Sequence, residues 1–208
     1  MRFRIKACLL ANALALSLFC YATAGPLDDA RAAFNRHDYE AELRIVRPMA
    51  EHGNAQAQYE LGAAYALGHG VPLNLSNAAI WYQKAAEQGI ARAQSNLGTM
   101  YASGIGVPAD PARAITWLGK AAAQGDPMAY ESLGAIYLYG NGVAKDYPQS
   151  YRWSSLAVPG LSDFPLSRAI EGCDAAAAKM TPAQIDDAKS QAKLWAAQHP
   201  TLSGPPLF

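Results

Sequence analysis

Residues able to serve as nucleophile, acid, base or metal ligand are few along this 208-residue chain, and they are scattered. Ser190-Gln-Ala-Lys193 has the Ser-x-x-Lys spacing in which a lysine can activate a serine for acyl transfer. The Ser-Asp-Asn and Lys-Thr-Gly elements that complete such a site are missing. His37, His52, His69 and His199 stand singly, without the spacing of metal ligands. Gly68-x-Gly70-Val71, Gly104-x-Gly106-Val107 and Gly140-x-Gly142-Val143 resemble the front of a dinucleotide-binding loop. Each lacks the third glycine and follows a helical pattern where a strand is required. No His-Glu-x-x-His, Gly-x-Ser-x-Gly or P-loop occurs. The reading is a non-enzyme with no catalytic residue, no metal and no cofactor.

Composition narrows the classes further. Seventeen basic residues balance 17 acidic ones, so the clustered positive charge on which nucleic-acid binding rests is missing. With 51% hydrophobic and 16% charged residues, the chain is rich enough in apolar side chains to build a core. Residues 1–24 read as a leader: Arg2, Arg4 and Lys6, then an apolar run from Ala7 to Phe19, then Ala22-Thr23-Ala24. The run is too short for a membrane-spanning helix, which needs about 20 residues. Cleavage is expected after Ala24, giving a periplasmic or secreted chain with no stable membrane anchor. Removal leaves 14 basic and 17 acidic residues and one thiol, Cys173, expected as a small buried filler.

The elements that would position any site follow from an internal period. Leu61-Gly62, Tyr65, Gly68, Gly70-Val71, Ala78, Trp81 and Lys84-Ala85-Ala86 return 36 residues later, from Leu97-Gly98 through Lys120-Ala121-Ala122. Aligned without a gap, 57–92 and 93–128 share 17 of 36 positions. A third copy keeps Leu133-Gly134, Tyr137, Gly140, Gly142-Val143, Asp146 and Trp153. Within a unit, Ala57, Leu61, Tyr65 and Gly68 share one face of a 3.6-residue helix. Gly62 beside that stripe allows close approach of a neighbour. A second helix is expected after the N-cap residues Asn74, Asp110 and Asp146, with Pro111 in its first turn. Lys84 and Lys120 near its end suit the helix dipole. The Trp81, Trp117, Trp153 ladder, with Tyr65, Tyr101 and Tyr137, reads as core packing, and Trp117→Ala is expected to cost about 3–5 kcal/mol.

The pattern A-x-x-x-L-G-x-x-Y-x-x-G-x-G-V, followed by D/N, A, W, K-A-A and G, resembles the Sel-1-like repeat, a helical-hairpin relative of the tetratricopeptide repeat. The resemblance implies an all-α, right-handed α-solenoid of antiparallel helical hairpins with a 36-residue period. The expected organisation is a degenerate first repeat over 25–56, repeats over 57–92, 93–128 and 129–159, a C-terminal helical cap over 160–200 and a loose tail over 201–208. An array buries its faces only against neighbours, so its last unit needs such a cap. Within it, helices are expected over 166–179 and 182–198, the second opening on Thr181-Pro182-Ala-Gln184.

By resemblance to tetratricopeptide arrays, the first helices line a concave surface that binds a protein or peptide. Stepping 100° per residue away from Leu61 and Tyr65 assigns that surface to Gln56, Tyr59, Glu60, Ala63 and Leu67. The equivalents are Arg92, Ser95, Asn96 and Thr99 in the second unit, and Met128, Glu131, Leu138 and Tyr139 in the third. Aromatic and Arg anchors of this kind are what protein interfaces use. Two further readings come with the resemblance. Some secreted arrays of this family resemble immunity proteins that sequester a toxin delivered into the periplasm. Cysteine-rich relatives have been proposed to hydrolyse β-lactams, and the single mature Cys departs from their Cys-clipped pattern.

Overall fold

The computed structural model describes residues 25–199, among which there are ten α-helices and no strand. The expected leader and the tail over 201–208 lie outside the described residues. Two compact units divide the chain, one ending at Ile45 and the other starting at Val46. In the first, α1 (Pro26–Asn35) opens on Gly25, whose N–H donates to Asp28 Oδ2 at 2.9 Å. The chain then turns through His37, at a φ of 59°, into α2 (Tyr39–Glu51). Asp38 caps α2 by accepting the Ala41 N–H through Oδ1 at 3.1 Å.

The second unit is a helical solenoid. Its hairpins pair α3 (Ala55–Leu67) with α4 (Leu75–Glu87), α5 (Ala91–Ser103) with α6 (Pro111–Ala123), and α7 (Pro127–Tyr139) with α8 (Tyr147–Ala157). Each first helix ends on a left-handed glycine, Gly68, Gly104 or Gly140, because a side chain is disfavoured at that φ of about 70°. The loops then close identically. Asn74, Asp110 and Asp146 donate their N–H groups to the carbonyls of Tyr65, Tyr101 and Tyr137. Their side chains accept from Asn77, Arg113 and Gln149, which are the N-caps expected from sequence.

In the second and third repeats the second glycine of Gly-x-Gly seats its loop on the preceding hairpin. A Cβ on Gly106 would stand 2.5 Å from the Leu75 carbonyl oxygen, and one on Gly142 would collide with Pro111. Ser76 adds a hydroxyl bond to the Gly106 carbonyl at 3.0 Å. These loops are joints between repeats. Within each hairpin, Gly62, Gly98 and Gly134 admit Tyr82, Leu118 and Ser154. Fully buried alanines (Ala57, Ala78, Ala85, Ala93, Ala114, Ala121, Ala129) keep the helices close.

A ladder of glutamines ties the two helices of a hairpin together and each hairpin to the helix before it. Gln88 donates to Gln58 Oε1 at 2.7 Å and to the Gly53 carbonyl, and Gln58 donates onward to Ala50 O. One period later Gln124 donates to Gln94 Oε1 at 2.8 Å, and Gln94 to Ala86 O. In the third unit Tyr130 occupies the position of Gln58 and Gln94, and the Trp195 indole donates to its hydroxyl at 3.2 Å.

Trp195 belongs to the cap. A single 3-10 turn, Val158–Gly160, leads into α9 (Asp163–Ala177), and α10 (Pro182–Gln198) follows. Both helices pack on α8. Helix α9 begins three residues before the start read from sequence. Helix α10 opens on the expected capping box, Thr181 and Gln184 each bonding the other's backbone. Trp153 stacks on Tyr130 (5.8 Å) and meets Trp195 edge-on (5.0 Å).

The aromatic core differs from the expected ladder. Trp153 is buried, but Trp81 and Trp117 are only half-buried, covered by the cations of Lys84 and Lys120 at 4.0 and 4.3 Å. The deeply buried rings are Tyr59, Tyr82, Tyr101 and Tyr130. A half-buried Trp117 removes less apolar area from water, which lowers the expected cost of its truncation to about 2 kcal/mol.

Candidate functional site

The first helices of successive hairpins lie side by side, as the 3.2 Å contact between Thr99 on α5 and Ser132 on α7 shows. Of the residues assigned to the binding surface, Leu67 (51%), Met128 (42%), Tyr139 (64%) and Thr99 are exposed. Gln56, Glu60, Arg92 and Asn96 are half-exposed, with Gln56 donating to Glu60 Oε1. Together they form a strip across α3, α5 and α7.

Tyr59, Ala63, Ser95, Glu131 and Leu138 are buried, which corrects their expected exposure. The physical reason is that a first helix inside an array is flanked on more than one side. Stepping away from the intra-hairpin stripe reaches an arc that packs on the next hairpin. Tyr59 lies against Tyr82 of its own hairpin, and its hydroxyl is hydrogen-bonded by Arg92 of the following first helix. Burial raises the Tyr59 pKa, and the Arg92 cation opposes that rise. Glu131, 5% exposed, pairs with Arg168 of α9 at 2.9 Å. Helix α9 therefore stands where a further first helix would, closing the strip after α7. Burial raises the Glu131 pKa against the opposing pull of Arg168.

One more polar group meets this surface from below. Asp126, the N-cap of α7, accepts the Met128 N–H through Oδ1 at 3.0 Å. It is 3% exposed, and its Oδ2 has no hydrogen-bond partner. Burial pushes its pKa up to about 6, with the Met128 N–H, Arg92 and Ser95 acting against that rise.

The residues weighed for catalysis stay apart. The Ser190 hydroxyl donates to the Asp186 carbonyl at 2.8 Å, a bond within its own exposed helix turn. Cys173 is half-buried on α9, its thiol pushed up to about 11 by burial and by Asp174, far from the reactive thiolate range. Among the described residues no three His, Cys, Asp or Glu side chains gather as metal ligands, and no helix is long and apolar enough to cross a membrane. Sequence reasoning missed the glutamine ladder, although Gln58/Gln94 and Gln88/Gln124 both repeat at 36. It also missed the cation over each tryptophan, Arg152 taking the role over Trp153 at 4.3 Å.

A sequence model of the Sel1 repeat matches residues 55–90, 91–126 and 127–158, each match opening with a first helix. Among solved structures, a Sel1 repeat protein from Oxalobacter formigenes is 36% identical, covering 62% of this chain and 98% of that one, with a TM-score of 0.52. A protective antigen present in uropathogenic Escherichia coli strains, displaying an SLR fold, is 27% identical with a TM-score of 0.50. It covers 85% of this chain, which spans 46% of that protein's length. Comparison with curated proteins gives no match.

Proposed function

The chain belongs to the Sel1 repeat family, and from that premise we propose that it is an exported interaction scaffold whose strip across α3, α5 and α7 holds a protein or peptide. Repeats of this family generally act as protein-interaction scaffolds, and relatives of this fold are typically not enzymes. The observation that carries the reading is where the repeats differ. The Gly joints, N-caps and glutamine rungs recur, whereas Gln56, Arg92 and Met128 occupy one register position on the exposed strip. So do Leu67, Ser103 and Tyr139. A surface that changes from unit to unit on a constant frame is suited to reading an extended partner, since function resides in the face set on a fold. Export rests on the basic start, short apolar run and Ala22-x-Ala24 of the leader.

The test is affinity capture from periplasmic extract, comparing the chain with an Arg92→Ala, Met128→Ala, Tyr139→Ala variant whose helicity is checked by circular dichroism. Arg92 also bonds the buried Tyr59 hydroxyl, so unchanged helicity and melting are what separate loss of capture from loss of fold. A protein held by the first and lost by the second supports the strip. Equal capture by both overturns its location. Amino-terminal sequencing of the exported protein checks cleavage after Ala24; a chain starting at Met1 would overturn export by this leader.

A further inference from the structure

Each of the three hairpins lays a cation over its tryptophan, but the third does so differently. Lys84 and Lys120 follow Trp81 and Trp117 by one turn and are exposed. Arg152 instead precedes Trp153 and is half-buried, because α10 packs on α8 and brings Trp195 to 5.9 Å from the guanidinium. One and two periods earlier the same position holds Thr116 and Ile80, both exposed. Two indoles, at 4.3 and 5.9 Å, therefore place this cation, and stacking on them uses none of its five N–H donors.

Those donors stay uncommitted within the chain. Nε is shut off from water without a hydrogen-bond partner, and no carboxylate among the described residues forms an ion pair with Arg152. Tyr137 and Asp146 face the cation from farther off. Asp146 is engaged already, its Oδ1 accepting the Gln149 N–H at 2.9 Å. Gln149, one turn before Arg152, is half-buried, and its Oε1 lacks a partner too. A half-buried cation without an anion is costly. A carboxylate relieves that cost, because a guanidinium can hold it through two parallel bonds.

We propose that Arg152 and Gln149, at the seam of α8 with α10, form a second binding site, one that takes a carboxylate lying beside a peptide N–H. An aspartate side chain of a partner or a partner's chain end presents that chemistry. The carboxylate receives the guanidinium N–H groups in the orientation that Trp153 and Trp195 set, and Gln149 Oε1 accepts the neighbouring N–H. The site exists only at the end of the array, since the earlier hairpins have neither the arginine nor the covering helix. It lies apart from the strip across α3, α5 and α7 and does not rest on that strip binding anything.

The test is nitrogen NMR on the isotope-labelled chain, following the Arg152 Nε–H signal assigned through its backbone. The probes are N-acetylaspartate methylamide, the uncharged asparagine analogue, and N-acetylalanine as a free chain end, all at one ionic strength. The signal should move and saturate with a carboxylate probe, binding about tenfold or more tightly than the asparagine analogue. Saturation by either acid supports the site, and the tighter of the two identifies the source of the carboxylate. Gln149→Glu sets an internal carboxylate one turn from Arg152, so it should abolish the response to both acids. A signal that stays still with both acids, or moves equally with the asparagine analogue, overturns the proposal, and so does a full response in Gln149→Glu. The native chain alone decides the first two outcomes, even if Gln149→Glu fails to fold. Arg92, Met128 and Tyr139 take no part, so this titration holds or fails separately from the capture experiment.

Discussion

The three hairpins and the C-terminal cap solve the same problem, how one helical layer recognises the next, with different chemistry. Within and between hairpins the work is done by repeated small devices: a glutamine rung, a loop glycine seated on the preceding hairpin, and a glycine that admits one side chain. At the cap, Tyr130 replaces the glutamine, Trp195 supplies the donor, and Glu131 binds Arg168. Amide rungs present both donors and acceptors and so repeat in series. An indole only donates, so Trp195 gives its N–H to Tyr130 but offers no acceptor to a following rung. The array is extensible chemistry, and the cap is terminal chemistry.

Substitutions can break this contrast or sharpen it. The largest effect is expected at Trp153, where cap and array meet. Trp153→Ala should cost about 3–5 kcal/mol in urea unfolding, against about 2 for the half-buried Trp117→Ala. Equal losses would show that the cap's aromatic cluster is no more than another repeat joint. Next comes Arg168→Ala, which strands the buried Glu131 carboxylate and should cost about 2 kcal/mol at pH 7, a value reduced because Arg168 is itself half-exposed. Glu131 has a raised pKa, so its unpaired charge is titrated away as the solution is acidified. The penalty should therefore shrink toward pH 4, and a penalty constant with pH would argue against a charge-based clasp. Gln124→Ala removes one rung and should cost about 1 kcal/mol. Lys120→Ala uncovers Trp117 and should cost about 0.5 kcal/mol, visible in tryptophan fluorescence before it is visible in melting.

What the sequence displayed follows the same division. Whatever repeats was legible: the 36-residue period, the N-caps at Asn74, Asp110 and Asp146, the loop glycines and the close-approach position at Gly62. The capping box at Thr181 was legible because its signal is local. Which side of a first helix meets solvent was not, because Tyr59 is covered by Arg92 of the next hairpin as well as by Tyr82 of its own, and Ser95 meets Asp126 of the hairpin that follows. A helical wheel measures angles around one axis and holds no information about a neighbour 36 residues away. Glu131 was misplaced for the same reason, its partner Arg168 lying in a cap whose register the repeat does not set. The half-burial of Trp81 and Trp117 depends on lysines three residues on, a pair that the dipole reading of Lys84 and Lys120 had already accounted for otherwise.

The rungs have a consequence for how such a chain can change over generations. The repeated contacts link residues no more than about one period apart, Gln58 to Gln88 and Gln94 to Gln124 within a hairpin, Leu75 to Gly106 across a joint. A recombination event that duplicates or excises 36 residues therefore recreates the same joints it removes. The third unit, carrying Tyr130 and Glu131, is exempt, because it alone fits the cap. Copy number can grow only upstream of residue 127, and each added copy would lengthen the variable strip by one helix while leaving the terminus untouched.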